Sequence, residues 1–384
     1  MLQIDKKIWM MVSIAVIVSL SVGILSLTGC KKEPEVYKIG AIAPLTGEGA
    51  TYGEAMKKGI DLAVEEINKR GGINGVKLVV IYRDSKLVPK EAISAFRYLV
   101  TAEKIPVILG AAASSVSLTL APLANESRVV LLSSISTADA LREAGDYFFR
   151  NIPPNRNQAK TAVYFIKNYL GRRKVLILYE NNDYGINMDK VFSEFFNNIG
   201  GVVVDHESYE SGQKDFRSIL SKVKRHNPDV IYIPGTYREN ALILRQARAM
   251  GIKSIFIGGD GAYSPELIKI AGDAAEGFYC TLMALPKSTT SPKIVKFFKA
   301  YHKKYKEDVN VYSAYSYDAL NMVALAIERG GYTGEGIKNA LYKIAYDGVT
   351  GKTQFDEYGE VDKPYFIYVV KEKKFELLPW TPKF

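Results

Sequence analysis

The chain has 384 residues, a formal net charge of +10 and two cysteines. A chain of this length buries a large core in two domains, and two cysteines exclude a disulfide-rich scaffold. Its lysines stand beside acids, as at Lys57, Lys58 and Asp61, which is typical of a solvated surface.

The first thirty residues have the pattern of a signal peptide with a lipidation site. Lys6 and Lys7 precede the apolar residues 8–27, and small residues come directly before Cys30. We therefore predict a signal peptide at 1–29 and a linker at 30–35 that begins with a lipidated Cys30. The alternative is an uncleaved membrane-spanning helix, because about 20 apolar residues cross a bilayer. Export argues against nucleic acid as a partner.

Short apolar runs alternate with amphipathic segments from residue 37 onward. This alternation indicates βα units and a parallel sheet. The predicted strands cover residues 37–42, 76–82, 107–109, 129–132, 175–178, 202–204, 230–233, 255–257 and 277–285. The pattern is interrupted at Pro153-Pro154 and again at residues 285–292, which predicts lobe boundaries at both places.

Two polar loops follow neighbouring strands in the first half. Residues 110–115 enter a helix predicted at 116–125, and residues 133–137 follow the next strand. In open α/β sheets, ligands bind beyond the carboxyl ends of the strands, and a helix start offers free N–H groups to anions. Ser114 is thus either a ligand for a carboxylate or simply the N-cap of its helix.

Asp260 follows a third strand and lies between glycines. It is either a turn residue or a carboxylate that faces the crevice and pairs with a ligand ammonium. Catalytic signatures are absent: there is no His-Glu-x-x-His or Gly-x-Ser-x-Gly motif, and the three histidines lack metal-ligand spacing. The glycine string at 47–53 has spacing one residue too long for a dinucleotide loop. The sequence predicts neither an enzyme nor a metal site.

Several strings resemble periplasmic branched-chain amino-acid binding proteins, in matching order over nearly the whole mature chain. They are residues 40–47, 52–53, 67–68, 71–78, 244–248 and 271–277. The resemblance implies an α/β fold of the type I periplasmic binding class, with two doubly wound parallel-sheet lobes joined by a three-crossing hinge. We place lobe 1 at 36–153 plus 285–352 and lobe 2 at 154–284 plus 353–384.

The resemblance also implies a ligand site between the lobes. In the family, hydroxyls of the first lobe bind the ligand carboxylate and ammonium, and an acid of the second lobe binds the ammonium; these roles fall on Ser114, Thr137 and Asp260. Ala112 and Ile135 offer backbone groups. The positions that wall the side-chain pocket correspond to Tyr52, Tyr184 and Tyr312, and the alternative for each of the three is ordinary core or interface packing. A further pocket position falls on Thr236 or its neighbour Tyr237.

Three departures from the family bear on this site. Asp260 is one methylene shorter than the glutamate of the best-known leucine/isoleucine/valine binders. Thr236 falls where a pocket tyrosine is expected, with Tyr237 next to it. Ala113 replaces one partner of a cysteine pair that some relatives have, and together with Ala112 it makes that wall of the pocket small.

The function implied by the resemblance is that of a lipid-anchored, extracytoplasmic substrate-binding protein of an ABC importer. Such a protein is a monomer, needs no cofactor, closes on a small apolar amino acid and presents it to a membrane permease. The alternative is a sensor of the same fold that binds an amino acid, an amide, urea or an aromatic acid. An exported enzyme would need an acid–base or metal set that the sequence lacks.

Overall fold

The computed structural model describes residues 35–283, 285 and 291–382. The predicted signal peptide and Cys30 lie outside these ranges. None of the helices within them is long and apolar enough to cross a membrane.

The first sheet has five strands in the order β2-β1-β3-β4-β5. The pairs β1 with β3, β3 with β4, and β4 with β5 are parallel. The strands are β1 (Val36–Ala43), β2 (Lys77–Asp84), β3 (Val107–Leu109), β4 (Val130–Ser133) and β5 (Phe148–Arg150).

The remaining strands form a second sheet and a separate hairpin. They are β6 (Lys174–Glu180), β7 (Val202–Tyr209), β8 (Val230–Ile233), β9 (Ile255–Gly258), β10 (Tyr279–Met283), β11 (Ala345–Gly348), β12 (Gly351–Gln354), β13 (Tyr365–Lys371) and β14 (Lys374–Leu377). The second sheet has the order β14-β13-β10-β9-β8-β6-β7, and β11 pairs only with β12. All four residues of β8 are buried, as a central parallel strand requires. The sheet is mixed, because β13 and β14 are antiparallel to their neighbours.

Helices cover the sheets. They are α1 (Ala50–Lys69), α2 (Pro89–Thr101), α3 (Ser114–Ser127), α4 (Asn155–Tyr164), α5 (Asp183–Asn198), α6 (Arg217–His226), α7 (Tyr237–Ala249), α8 (Pro265–Ala271), α9 (Pro292–Tyr305), α10 (Val311–Gly330) and α11 (Gly334–Leu341). α10 packs against α1, and both α10 and α11 contact the first sheet. Late parts of the chain therefore return to the first lobe, meaning the first sheet with its helices; the second sheet with its helices is the second lobe.

The chain passes between the two sheets three times. The crossings follow β5, follow β10 and precede β13. The limits of the second crossing fall among residues 284–290, most of which lie outside the described ranges, so the exact lobe limits stay a prediction.

The glycine string at 47–53 has a packing role. A Cβ atom on Gly53 would lie 2.0 Å from the carbonyl oxygen of Pro44. Glycine at this position therefore lets the first turn of α1 lie directly against the loop that follows β1.

Candidate functional site

A cavity lies where the carboxyl ends of strands from both sheets meet. Its lining comes from the loops after β2, β3, β4, β6, β8 and β9 together with α1 and α10. The lining residues are Tyr52, Leu87, Ala112, Ala113, Ser114, Ser115, Ile135, Thr137, Asn182, Tyr184, Thr236, Asp260, Gly261 and Tyr312. The structure thus brings together nine of the ten residues that the sequence placed in the ligand site. The exception is Tyr237.

Ser114 ties together the two polar loops of the first lobe. The N-cap of α3 is Ala113, in an extended conformation and without a side-chain cap, so the helix begins two residues earlier than predicted and Ser114 is not its cap. The Ser114 Oγ instead accepts hydrogen bonds from the N–H groups of Thr137 (3.3 Å) and Ala138 (3.1 Å). Its own hydroxyl proton remains available to a ligand.

The same wall of the cavity offers further donors and no cation. The Thr137 hydroxyl has no hydrogen-bond partner among the described residues. The first N–H groups of α3 have no acceptor within the helix, as at every helix start. Hydroxyl and backbone donors of this kind suit a small anion.

Asp260 is the only acid among the described residues that line the cavity, and it is 3% exposed. Its Oδ1 accepts three hydrogen bonds, from Gln158 Nε2 (2.9 Å), Tyr184 Oη (2.8 Å) and the Gly261 N–H (3.0 Å). Its Oδ2 receives no hydrogen bond from the described residues, and no lysine, arginine or histidine in those ranges forms an ion pair with it. Burial raises the pKa of Asp260 to about 6, against the lowering effect of the hydrogen bonds from Tyr184 and Gln158.

Three tyrosines line the cavity with their hydroxyls turned to protein acceptors. Tyr52 donates to the carbonyl oxygen of Gly261, Tyr312 to that of Asp260 (2.8 Å), and Tyr184 to the Asp260 carboxylate. The Tyr52 and Tyr312 rings meet edge to face at 5.7 Å. Because the hydroxyls are engaged, these side chains present mainly their apolar rings to the cavity.

Tyr237 lies behind Tyr52, outside the lining. Its ring meets the Tyr52 ring edge to face at 5.5 Å, and its hydroxyl donates to the Glu48 carbonyl oxygen at 2.8 Å. Since Glu48 belongs to the first lobe, Tyr237 connects the two lobes. Thr236 does line the cavity, but its hydroxyl is bonded to Glu239.

Leu87 and Asn182 line the cavity but were not predicted. Leu87 follows β2 and has a φ of 62°, which L-residues rarely adopt. Asn182 follows β6 and caps α5, its Oδ1 accepting from the Gly185 N–H at 2.9 Å. Both sit just beyond a strand, which is the same signal that identified Ser114.

Two α/β lobes that enclose a polar and apolar cavity at their strand ends define a cleft-type binding protein. The sequence profile described as "periplasmic binding protein" matches residues 36–374. The chain therefore belongs to the periplasmic binding protein family. The predicted fold class is confirmed, with the antiparallel edge of the second sheet as an addition.

Individual relatives agree with this assignment. A Leu/Ile/Val-binding protein homolog of Brucella melitensis is 29% identical, over 85% of this chain and 89% of its own length. A leucine-, isoleucine-, valine-, threonine- and alanine-binding protein of Pseudomonas aeruginosa is 28% identical, over 85% and 87%. The structure of LivJ from Streptococcus pneumoniae in complex with isoleucine is 32% identical, has a TM-score of 0.84 and covers 89% of this chain and 99% of LivJ. The predicted resemblance to branched-chain amino-acid binding proteins is thereby confirmed.

Proposed function

We propose that this chain is the extracytoplasmic substrate-binding protein of an ABC importer and that it binds a small apolar amino acid. The observation that carries the proposal is Asp260, a buried carboxylate that lines the cavity, has no counter-ion among the described residues and keeps one oxygen free. Relatives named for binding leucine, isoleucine and valine support the same ligand class.

The unpaired carboxylate calls for a cationic ligand group. Burying a carboxylate without an opposite charge is costly, and the raised pKa of Asp260 reflects that cost. A ligand ammonium at Oδ2 would supply the missing charge. The resulting charge-assisted hydrogen bond is strong because little water remains around the pair.

The opposite wall suits the carboxylate of the same ligand. Ser114 and Thr137 offer hydroxyl donors, and the start of α3 offers backbone N–H groups together with the positive end of the helix dipole. One α-amino acid can therefore meet Asp260 with its ammonium and the first lobe with its carboxylate.

The rest of the cavity favours an apolar ligand side chain. Leu87, Ala113 and Ile135 add aliphatic surface to the rings of Tyr52 and Tyr312, and no lysine, arginine or histidine of the described ranges lines the cavity. A charged ligand side chain would lose its hydration there without gaining a partner.

Contacts between the lobes indicate how binding works. Tyr52 and Tyr312 of the first lobe donate to backbone oxygens that follow β9, and Tyr237 of the second lobe donates to Glu48. Because these bonds join the two lobes, they must break when the cleft opens. A zwitterion that contacts Ser114 and Asp260 together binds the closed form more tightly than the open form and so shifts the population toward closure.

Calorimetry of the mature protein with the twenty amino acids, and with benzoate as a carboxylate that has no ammonium, tests the ligand class. We expect binding of leucine, isoleucine or valine and no binding of glutamate, lysine or benzoate. Binding of benzoate but of no amino acid would show that the ligand class is wrong.

We further propose that Cys30 carries a lipid anchor that holds the protein near its permease. The support is the sequence pattern alone, because Cys30 lies outside the described residues. Expression of the full chain with a radiolabelled fatty acid should label the wild type, and Cys30→Ser should be unlabelled and released from membranes. Continued labelling of Cys30→Ser would contradict the anchor.

A further inference from the structure

Gln158 on α4 is fully buried and is joined to Asp260 at two points. Its Oε1 accepts the backbone N–H of Asp260 at 2.8 Å, and its Nε2 donates to the Asp260 Oδ1 at 2.9 Å. The hydroxyl of Thr281 also donates to Oε1, at 2.8 Å. Because a backbone N–H can only meet an acceptor, the amide of Gln158 is fixed with its oxygen toward the backbone and its nitrogen toward the carboxylate.

We infer that Gln158 is a positioning residue of the ligand site: it fixes the Asp260 carboxylate so that Oδ1 is saturated by the protein and Oδ2 is left for the cationic group of the ligand. Tyr184 and the Gly261 N–H complete the three donors to Oδ1. A glutamate at 158 would face the carboxylate with an acceptor, so the amide is specifically required. This role rests on the proposed function, since it presupposes a cationic ligand group.

The backbone before Asp260 makes room for this arrangement. A Cβ atom on Gly259 would lie 2.6 Å from Gln158 Oε1 and 2.0 Å from Tyr184 Oη. Both distances are shorter than van der Waals contact, so only glycine lets the two side chains reach Asp260 together.

The charged state of Asp260 depends on the hydrogen bond from Gln158, because the titratable groups around it offer no positive charge. The titratable groups that interact with the charge of Asp260 are Tyr52 (α1), Tyr184 (α5), Tyr232 (β8), Cys280 (β10), Tyr312 (α10) and Tyr365 (β13). None of them is a cation. The ionised form of Asp260 is therefore stabilised by hydrogen bonds and by no cation among these groups, and loss of the bond from Gln158 should raise its pKa further above about 6.

The test uses Gln158→Met, which keeps the volume and removes the bonds to Asp260 and Thr281, and Gln158→Asn, which keeps the amide but shortens its reach. Gln246→Met is the matched control, because Gln246 also bridges backbone groups, from the Phe216 N–H to the Lys214 carbonyl oxygen, in the second lobe away from the cavity. Carbon-13 NMR gives the pKa of Asp260 in the ligand-free proteins. Calorimetry gives the affinity for L-leucine between pH 5.5 and 8.

We expect the pKa of Asp260 to rise by about one unit in both Gln158 variants and to stay unchanged in Gln246→Met. The variants then bind L-leucine more weakly than the wild type, and the factor by which they do so should be about fivefold larger at pH 6 than at pH 8. The reason is that fewer variant molecules have an ionised Asp260 at pH 6. A merely structural role would lower affinity by the same factor at both pH values.

Two results would overturn the inference. One is an unchanged pKa of Asp260 in Gln158→Met; the other is loss of folding in both variants, which would assign Gln158 to the core. The NMR titration needs no ligand. A shifted pKa in a protein whose wild type binds no amino acid would therefore support the role of Gln158 while contradicting the proposed ligand.

Discussion

Asp260 carries a charge that folding alone does not favour. It is buried, has no counter-ion among the described residues, and has its pKa raised to about 6 by burial. An acid with a raised pKa in the folded state destabilises that state once the pH exceeds its pKa in the unfolded chain. The closed form without a ligand therefore bears a cost that a bound ammonium would remove.

Asp260→Asn should stabilise the closed form of the ligand-free protein. A shift from 3.8 to about 6 corresponds to about 3 kcal/mol in the free energy of unfolding above pH 6. The gain should fade as the pH falls toward 4, because the wild-type carboxyl is then neutral in the folded state. Urea unfolding between pH 4 and 8 measures it, with the exposed Asp273→Asn as control. Equal stability of wild type and Asp260→Asn at pH 7 would show that Asp260 bears no such cost.

Candidate site residues at strand ends could be predicted from the sequence, whereas the residues that hold them in place could not. Ser114, Thr137 and Asp260 are polar residues directly beyond apolar runs, where open sheets collect ligand groups. Gln158 lies in a helix and reaches Asp260 across 102 positions of the chain. No local pattern indicates a contact of that kind, because it depends on how the helix packs over the sheet.

At the scale of elements, the alternation of apolar runs and amphipathic helices predicted β1 to β4 and β6 to β10 but missed the short parallel strand β5 and the antiparallel strands β11 to β14. β13 and β14 have no helix between them, so the rule that identifies βα units does not apply. Their connection also lacks a turn signature, since Glu372 and Lys373 adopt φ values of 50° and 59° without being glycine or asparagine. The prediction therefore placed the C-terminal residues in the second lobe without their strands.

The start of α3 shows why the ends of helices were harder to predict from the sequence than the helices themselves. The sequence left Ser114 as either the N-cap, where serine is favoured, or a ligand for a carboxylate. In the structure Ala113 takes that position and the Ser114 hydroxyl bonds to the loop after β4 instead. The tertiary contact between the loops after β3 and β4 replaced the local capping preference.

At the scale of the whole molecule, an ion-pair network ties two of the crossings together. Glu360, in the third crossing, is paired with Arg150, the last residue of β5, and with Arg156 at the start of α4. Arg150 also donates to the carbonyl oxygen of Ala138, next to Thr137. Breaking a buried pair leaves an uncompensated charge. We therefore expect the lobes to move about this network while it stays intact.

The central claim is that one ligand is bound by its ammonium at Asp260 and by its carboxylate at the first lobe. L-leucine and 4-methylpentanoate have the same side chain and carboxylate and differ in the ammonium. Calorimetry of both compounds with wild type and Asp260→Asn at pH 7 measures how much the contact between the ammonium and Asp260 contributes to affinity. Because one partner of a buried charge pair is lost, Asp260→Asn should bind leucine about a hundredfold more weakly than the wild type does. It should bind 4-methylpentanoate with the same affinity as the wild type or more tightly. Equal affinity of leucine for both proteins would contradict the claim.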